Sequence, residues 1–169
     1  EKTIALKASN EKRKKSTSGG AFQILSNYIL EQGGVVFGCE MLNPVNIIHS
    51  YSDKIDSFTK FCKSKYVQSD LKNTFLECCN FLNDGKKVLF TGTGCQIAGL
   101  ISFLKFKKIC TDNLITCDIV CHGCPSPSVW NDFVCELESR RKMKVCDVSF
   151  REKDKSGWNS HIEKISYQN

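Results

Sequence analysis

Cysteine is the residue type that invites a chemical reading of this sequence: eleven thiols in 169 residues, odd in number and irregularly spaced. Two of them close short apolar runs. In KKVLFTGTGCQIAG (Lys86–Gly99) the run Val88–Phe90 passes through Thr91, Gly92, Thr93 and Gly94 to Cys95, and NLITCDIVC (Asn113–Cys121) ends on Cys121. Apolar runs of this length read as buried strands, and Ile97, Leu100, Ile101 and Leu104 place a helix after the first, with Thr91–Gly94 as the turn. If the two strands are parallel neighbours, the loops beginning at Thr91 and Cys121 lie side by side on the carboxyl edge of a sheet, where open α/β sheets bind ligands. Cys95 and Cys121 then share a pocket beside His122. A helix start favours an anion at Cys95, and two neighbouring thiolates among small residues form one side of an iron–sulfur site. Cys117 and Cys124, or sequence outside this chain, would supply the other pair.

Other metals are weaker fits. The spacing Cys117-x3-Cys121-x2-Cys124 is that of the three-thiolate cluster in radical S-adenosylmethionine enzymes, but that motif occupies a loop and Cys117 falls inside an apolar run. A zinc site from Cys117, Cys121, His122 and Cys124 has suitable ligand types, yet adjacent residues rarely both reach one metal. Cys39, Cys62, Cys78, Cys79, Cys110, Cys135 and Cys146 sit singly or in helix-like and strand-like contexts and read as small core residues. With no secretory signal and no apolar run near the roughly 20 residues of a membrane span, the thiols are expected to be reduced, in the cytoplasm.

Three segments could meet a dinucleotide. Ser18, Gly19 and Gly20 open a helix and expose backbone N–H groups to a pyrophosphate; Lys65 and Tyr66 pair a cation with a flat ring; Thr91, Gly92, Thr93 and Gln96 flank the second helix start. They are expected to converge on one face of the sheet. The net charge of +6 gathers in Lys12–Lys15 and around Arg140–Lys144, without the interleaved aromatics of a nucleic-acid platform. A phosphate-bearing cofactor or an acidic protein partner accounts for it, and no nucleic acid is expected.

The elements that must position these residues follow from periodicity. Thr3–Ala8 reads as a strand or extended arm, Asn10–Lys15 as a loop, and Ala21 onward as a helix stopped by Gly33–Gly34. Val35–Met41 and Asn46–Ser52 form a hairpin, Asp53–Phe61 a short helix, and Asp70–Asn83 a helix ending at Gly85. Pro125 and Pro127 break the chain after Cys121, and Ser128–Met143 is a helix with Val129, Trp130, Phe133 and Leu137 inward. Lys144–Arg151 and His161–Tyr167 are strands about a turn at Asp154–Trp158. The whole, residues 1–169, reads as one α/β domain with a mixed, largely parallel sheet flanked by helices. It stops as a strand ends, which suggests a fragment truncated at its C-terminal side.

Six blocks taken in order resemble the coenzyme F-420 hydrogenase/dehydrogenase beta-subunit family: STSGGAF (Ser16–Phe22), LEQGGVVFG (Leu30–Gly38), SKYVQSD (Ser64–Asp70), KKVLFTGTGCQIAGL (Lys86–Leu100), NLITCDIVCHGCPSPSVW (Asn113–Trp130) and SFREKDKSGW (Ser149–Trp158). The resemblance implies an oxidoreductase carrying FAD and a [4Fe-4S] cluster, passing electrons between a deazaflavin or another small-molecule donor or acceptor and the cluster. It implies a redox partner protein or a ferredoxin-like domain, and many bacterial relatives sit among polysaccharide-biosynthesis proteins. Cys95 and Cys121 fall on the family's cluster cysteines; the other two ligands belong to a later C-x2-C that this chain does not reach. Ser18–Gly20, Lys65–Tyr66 and Thr91–Gln96 fall on the flavin side. Gly94 stands where the family has proline and Cys124 where it has valine. A module that keeps the fold without the cofactors is the rival reading.

Overall fold

The computed structural model describes residues 4–5, 7–14, 16–152 and 162–168. Chain order gives α1 (Asn10–Lys14), α2 (Ala21–Leu30), β1 (Val35–Asn43), β2 (Asn46–Ser52), a 3-10 turn (Phe58–Phe61), α3 (Thr74–Asn83), β3 (Val88–Thr93), α4 (Gly94–Phe106), β4 (Leu114–Ile119), α5 (Pro127–Arg141), β5 (Val145–Glu152) and β6 (Ile162–Tyr167). Four strands form one sheet in the order β2-β1-β3-β4, and β5 and β6 pair as a separate antiparallel ribbon. β1–β3 and β3–β4 are parallel, whereas β1–β2 is the expected antiparallel hairpin. Its turn is held by Asn43 Oδ1, which accepts the N–H groups of Val45 and Asn46.

The unbroken apolar run of β3 follows from its place: a strand paired on both edges and covered on both faces has no polar side. Val35, Phe37, Val88 and Phe90 pack under α3 and α4 with Cys78, Leu82, Leu100 and Leu104. On the opposite face Val36 and Leu89 meet Ile29 and Leu30 of α2 and Phe58 and Phe61 of the 3-10 turn. A third cluster joins Ile47 and Val67 to Trp130, Val134, Val145, Val148 and Phe150, seating α5 and the ribbon beside the hairpin. β4 is an outer strand and is half open, with Ile115 and Ile119 exposed.

Several expectations are corrected. Asn10–Lys14 is a short helix rather than a loop; Ser16 Oγ then donates to the Lys12 carbonyl at 3.0 Å. Only Phe58–Phe61 of the expected helix 53–61 forms, as a 3-10 turn, because both phenylalanines, three apart and therefore eclipsed, must enter the core. α3 starts at Thr74, not Asp70. Asp70 instead bridges β2, its N–H donating to Ile47 O at 3.0 Å and its carbonyl accepting from His49 N at 2.8 Å, and Lys72 turns the chain at a φ of 45°. Val129 and Phe133 lie on the outer side of α5, which docks instead through Trp130 and Val134. Thr3, part of the expected N-terminal strand, Lys15, the turn Asp154–Trp158 and His161 lie outside the described residues; Ile4, Ala5, Lys7 and Ala8 form no strand. Among the described residues no helix is long and apolar enough to cross a membrane.

Candidate functional site

The thiols sit on the carboxyl edge of the sheet, but the junction is tighter than a glycine turn. β3 continues through Thr91, Gly92 and Thr93, each paired with β4, and α4 begins at Gly94 with no intervening loop. Pairing with β4 keeps these residues extended. Thr93 and Gln96 then form a capping box, with Gln96 Oε1 accepting the Thr93 N–H at 3.0 Å. Cys95 is thus the second residue of α4, its sulfur 3.1 Å from Thr93 Oγ1. Thr93 stands opposite Ile119, so Cys121, two residues beyond, leaves β4 at the same edge. The Cys121 sulfur accepts the Gly123 N–H at 3.3 Å.

Cys95, Cys121 and Cys124 are all exposed. Burial first, then the neighbouring Cys121 and Cys95 sulfurs, push the Cys124 thiol above its ordinary pKa, so all three lie within electrostatic reach. Cys117 does not join them. It packs on the α2 face of β4, where burial and then Asp118 raise its pKa, as expected of a core thiol and not of a loop ligand. Among the described residues no three His, Cys, Asp or Glu side chains gather closely enough to enclose a metal ion. The donor set is nonetheless soft, exposed and directed from one side, with Cys95 at the positive end of α4. Those features fit two corners of an iron–sulfur cluster and do not suit a closed zinc site.

Each segment expected at a dinucleotide has its own surroundings. Gly20 caps α2 in the left-handed region, φ 79°, and a Cβ there would lie 2.8 Å from Ala8 Cβ; the Gly19 carbonyl accepts the Ala8 N–H at 2.8 Å. Ser18 lies beside them in the bend that leads into α2. Beside the first turn of α2 a cleft of about 430 Å³ is bounded by Lys12, Gln23, Phe58, Cys62 and Lys63. Lys65 lies near it, with Nζ donating to the carbonyls of Cys62 at 2.7 Å, Lys60 at 3.1 Å and Lys63 at 3.4 Å. Burial lowers the Lys65 pKa, against the opposing pull of Cys39, Cys62 and Glu40. Tyr66 meets Phe150 edge-on at 5.7 Å. At the α4 start Thr91 is buried, its hydroxyl donating to Phe37 O at 2.9 Å, and Gln96 Oε1 fills the space beside Gly92. Asp118 stands near Gly94, 3.7 Å from where a Cβ would sit. This helix start therefore faces sulfur and a carboxylate, a poorer setting for a phosphate than the start of α2.

One polar chain was not apparent from the sequence. His49 is buried, its Nε2 2.9 Å from the Thr91 carbonyl and its Nδ1 2.7 Å from Ser69 Oγ. A carbonyl only accepts, so Nε2 carries the proton and Nδ1 accepts from Ser69. Ser69 Oγ in turn accepts from Gln96 Nε2 at 3.0 Å. The chain thereby ties β2, the 62–70 segment and the capping box of α4. The signal available was a single imidazole in the apolar strand Asn46–Ser52.

A mostly parallel sheet, helices on both faces and thiols and helix starts at its carboxyl edge define an open α/β domain, a class of fold that binds its ligands at that edge. Residues 85–166 match the family that comprises the C terminus of the coenzyme F420 hydrogenase/dehydrogenase beta subunit. Over those residues the resemblance to that family of oxidoreductases, read from the sequence blocks, is borne out. No curated protein matches the chain. A chain of the F420-reducing [NiFe] hydrogenase complex from Methanosarcina barkeri, from a xenon-derivatised structure, shares the fold at a TM-score of 0.62 and 15% identity. The match covers 95% of the present chain and 57% of that one, so the chain spans little more than half of its structural relative.

Proposed function

We propose that residues 1–169 form a domain of a flavin- and iron–sulfur-dependent oxidoreductase, which moves electrons between a reduced deazaflavin-like coenzyme, or another small donor, and a [4Fe-4S] cluster through FAD. The observation that carries this reading is the placement of Cys95 and Cys121 beyond paired strands on one sheet edge. Bound there, the cofactors would supply the one- and two-electron chemistry, and the protein its geometry. Cys95 and Cys121 hold one side of the cluster, with two further ligands from outside these residues. Ser18, Gly19 and Gly20 offer α2 N–H groups to the pyrophosphate, Tyr66 a flat surface, and Thr93 and Gln96 fix the α4 start that carries Cys95. A ferredoxin-like domain or redox partner protein takes the electrons onward.

An anaerobic absorption spectrum of the full-length protein tests the reading. Flavin bands and a broad thiolate-to-iron absorption are expected, with the latter lost in Cys95→Ser and Cys121→Ser while the flavin bands stay. A colourless protein after anaerobic preparation with added iron, sulfide and FAD rejects it in favour of a fold-retaining module without cofactors.

A further inference from the structure

Cys121-His122-Gly123-Cys124 is a C-x2-C sequence, and that spacing suits a disulfide across a tight turn. The structure supplies the turn. Gly123 has a φ of 111°, a conformation side-chain-bearing residues rarely adopt, and nothing lies within 4 Å of where its Cβ would be. That bend lets the Gly123 N–H fold back onto the Cys121 sulfur at 3.3 Å, and Cys124 is the next residue along. Both thiols are exposed, so a soluble disulfide reaches either one. Pro125 follows at once, and its carbonyl accepts the Gln68 N–H at 3.1 Å, which anchors the far side of the loop while the four-residue bend stays open to solvent.

From this geometry we infer that Cys121 and Cys124 form a reversible dithiol–disulfide pair that exchanges with small-molecule disulfides and, when oxidised, withdraws Cys121 from metal. The dithiol part stands on the loop alone; the metal part rests on the proposed ligand role of Cys121. The exchange balances with glutathione disulfide as oxidant. The Cys121 thiolate attacks one sulfur of glutathione disulfide and expels a glutathione thiolate, leaving a mixed disulfide. The Cys124 thiolate then attacks the Cys121 sulfur and expels the second. Two protein thiols give up two protons and two electrons, and one glutathione disulfide becomes two molecules of glutathione. A Cys121 sulfur held in that bond has no thiolate to offer iron.

The test uses full-length protein stripped of metal by a chelator and equilibrated in graded ratios of reduced to oxidised glutathione. Free thiols are alkylated, the rest are reduced and labelled with a second reagent, and both positions are located by fragmentation mass spectrometry. Cys121 and Cys124 should become protected together, with one midpoint, while Cys95 stays free. In Cys124→Val, Cys121 should stop at the mixed disulfide, found as a glutathione adduct and only at more oxidising ratios than the parent's midpoint. Protection of Cys121 with Cys95, or no joint protection at any ratio, overturns the pair. Iron uptake by the same samples is measured separately: it should be abolished in the parent protein at ratios that still leave it intact in Cys124→Val. Joint protection with no iron bound in either redox state sinks the ligand assignment and leaves the disulfide standing. Iron uptake without joint protection does the reverse.

Discussion

His49 shows how a single residue ties stability to pH. Burial lowers its pKa below the ordinary 6.5, with the Thr91 carbonyl opposing and Lys65 adding to the drop. The buried ring is therefore neutral, and its lone pair at Nδ1 is committed to Ser69. Below the ordinary histidine value the unfolded chain takes up a proton that the folded chain refuses, so stability is full above about pH 6.5 and declines as pH falls towards the lowered value. Melting temperature measured from pH 7.5 down to 5.5 should fall more steeply for the parent than for His49→Gln, which starts lower but lacks this titration. Glu40 runs in a similar direction: burial raises its carboxyl, but the Ser50 hydroxyl at 2.5 Å and Lys60 at 2.9 Å outweigh that and hold it below the usual range. Gly19 tests the proposed pyrophosphate position. Gly19→Asp places a carboxylate at the start of α2, so flavin occupancy of the full-length protein should drop, read from the ratio of flavin absorbance to protein. Full occupancy would move the cofactor away from this helix start.

At the scale of elements, the capping box carries more than its own helix. Gln96 closes it with one end and holds Ser69 with the other. Gln96→Ala should cost about 1–2 kcal/mol in denaturant unfolding, since two hydrogen bonds are lost and the Ser69–His49 pair loses its donor. Gly38→Ala acts through packing: the added carbon would lie 2.8 Å from Phe61 Cβ, so the 3-10 turn must shift, at a cost of about 1–3 kcal/mol. Strand and helix identities were legible in the sequence because Val88–Phe90, Asn46–Ser52 and the face Ile97, Leu100, Leu104 are strongly patterned. Boundaries failed where tertiary pairing overrides local signals. Thr91–Thr93 look like a turn and are strand because β4 pairs with them, and Asp70 looks like a helix start and instead bridges β2. The shared sheet edge of Cys95 and Cys121 was readable from two apolar runs ending in thiols. The carbonyls that hold Lys65 and the Phe150 ring that meets Tyr66 were not, since neighbours in an irregular segment carry no period to tell which way each side chain turns.

Across the whole molecule, the sheet and the β5–β6 ribbon are joined through α5, and Trp130 is the joint. Its ring lies against Phe133 at 5.4 Å and Phe150 at 5.2 Å, and its indole N–H donates to the Pro44 carbonyl in the hairpin turn at 2.7 Å. Buried among apolar side chains, the ring also sits six residues after Cys124. The protein thereby carries its own optical gauge. With Trp158→Phe leaving one emitter, excitation at the red edge of indole absorption should give a blue-shifted, quencher-shielded emission from the native chain. Val134→Ala, which loosens α5 without touching the indole, should move that emission to longer wavelength before the sheet melts by circular dichroism. If both signals change together, the helix and the sheet unfold as one unit, and the fluorescence then times the loss of the entire fold.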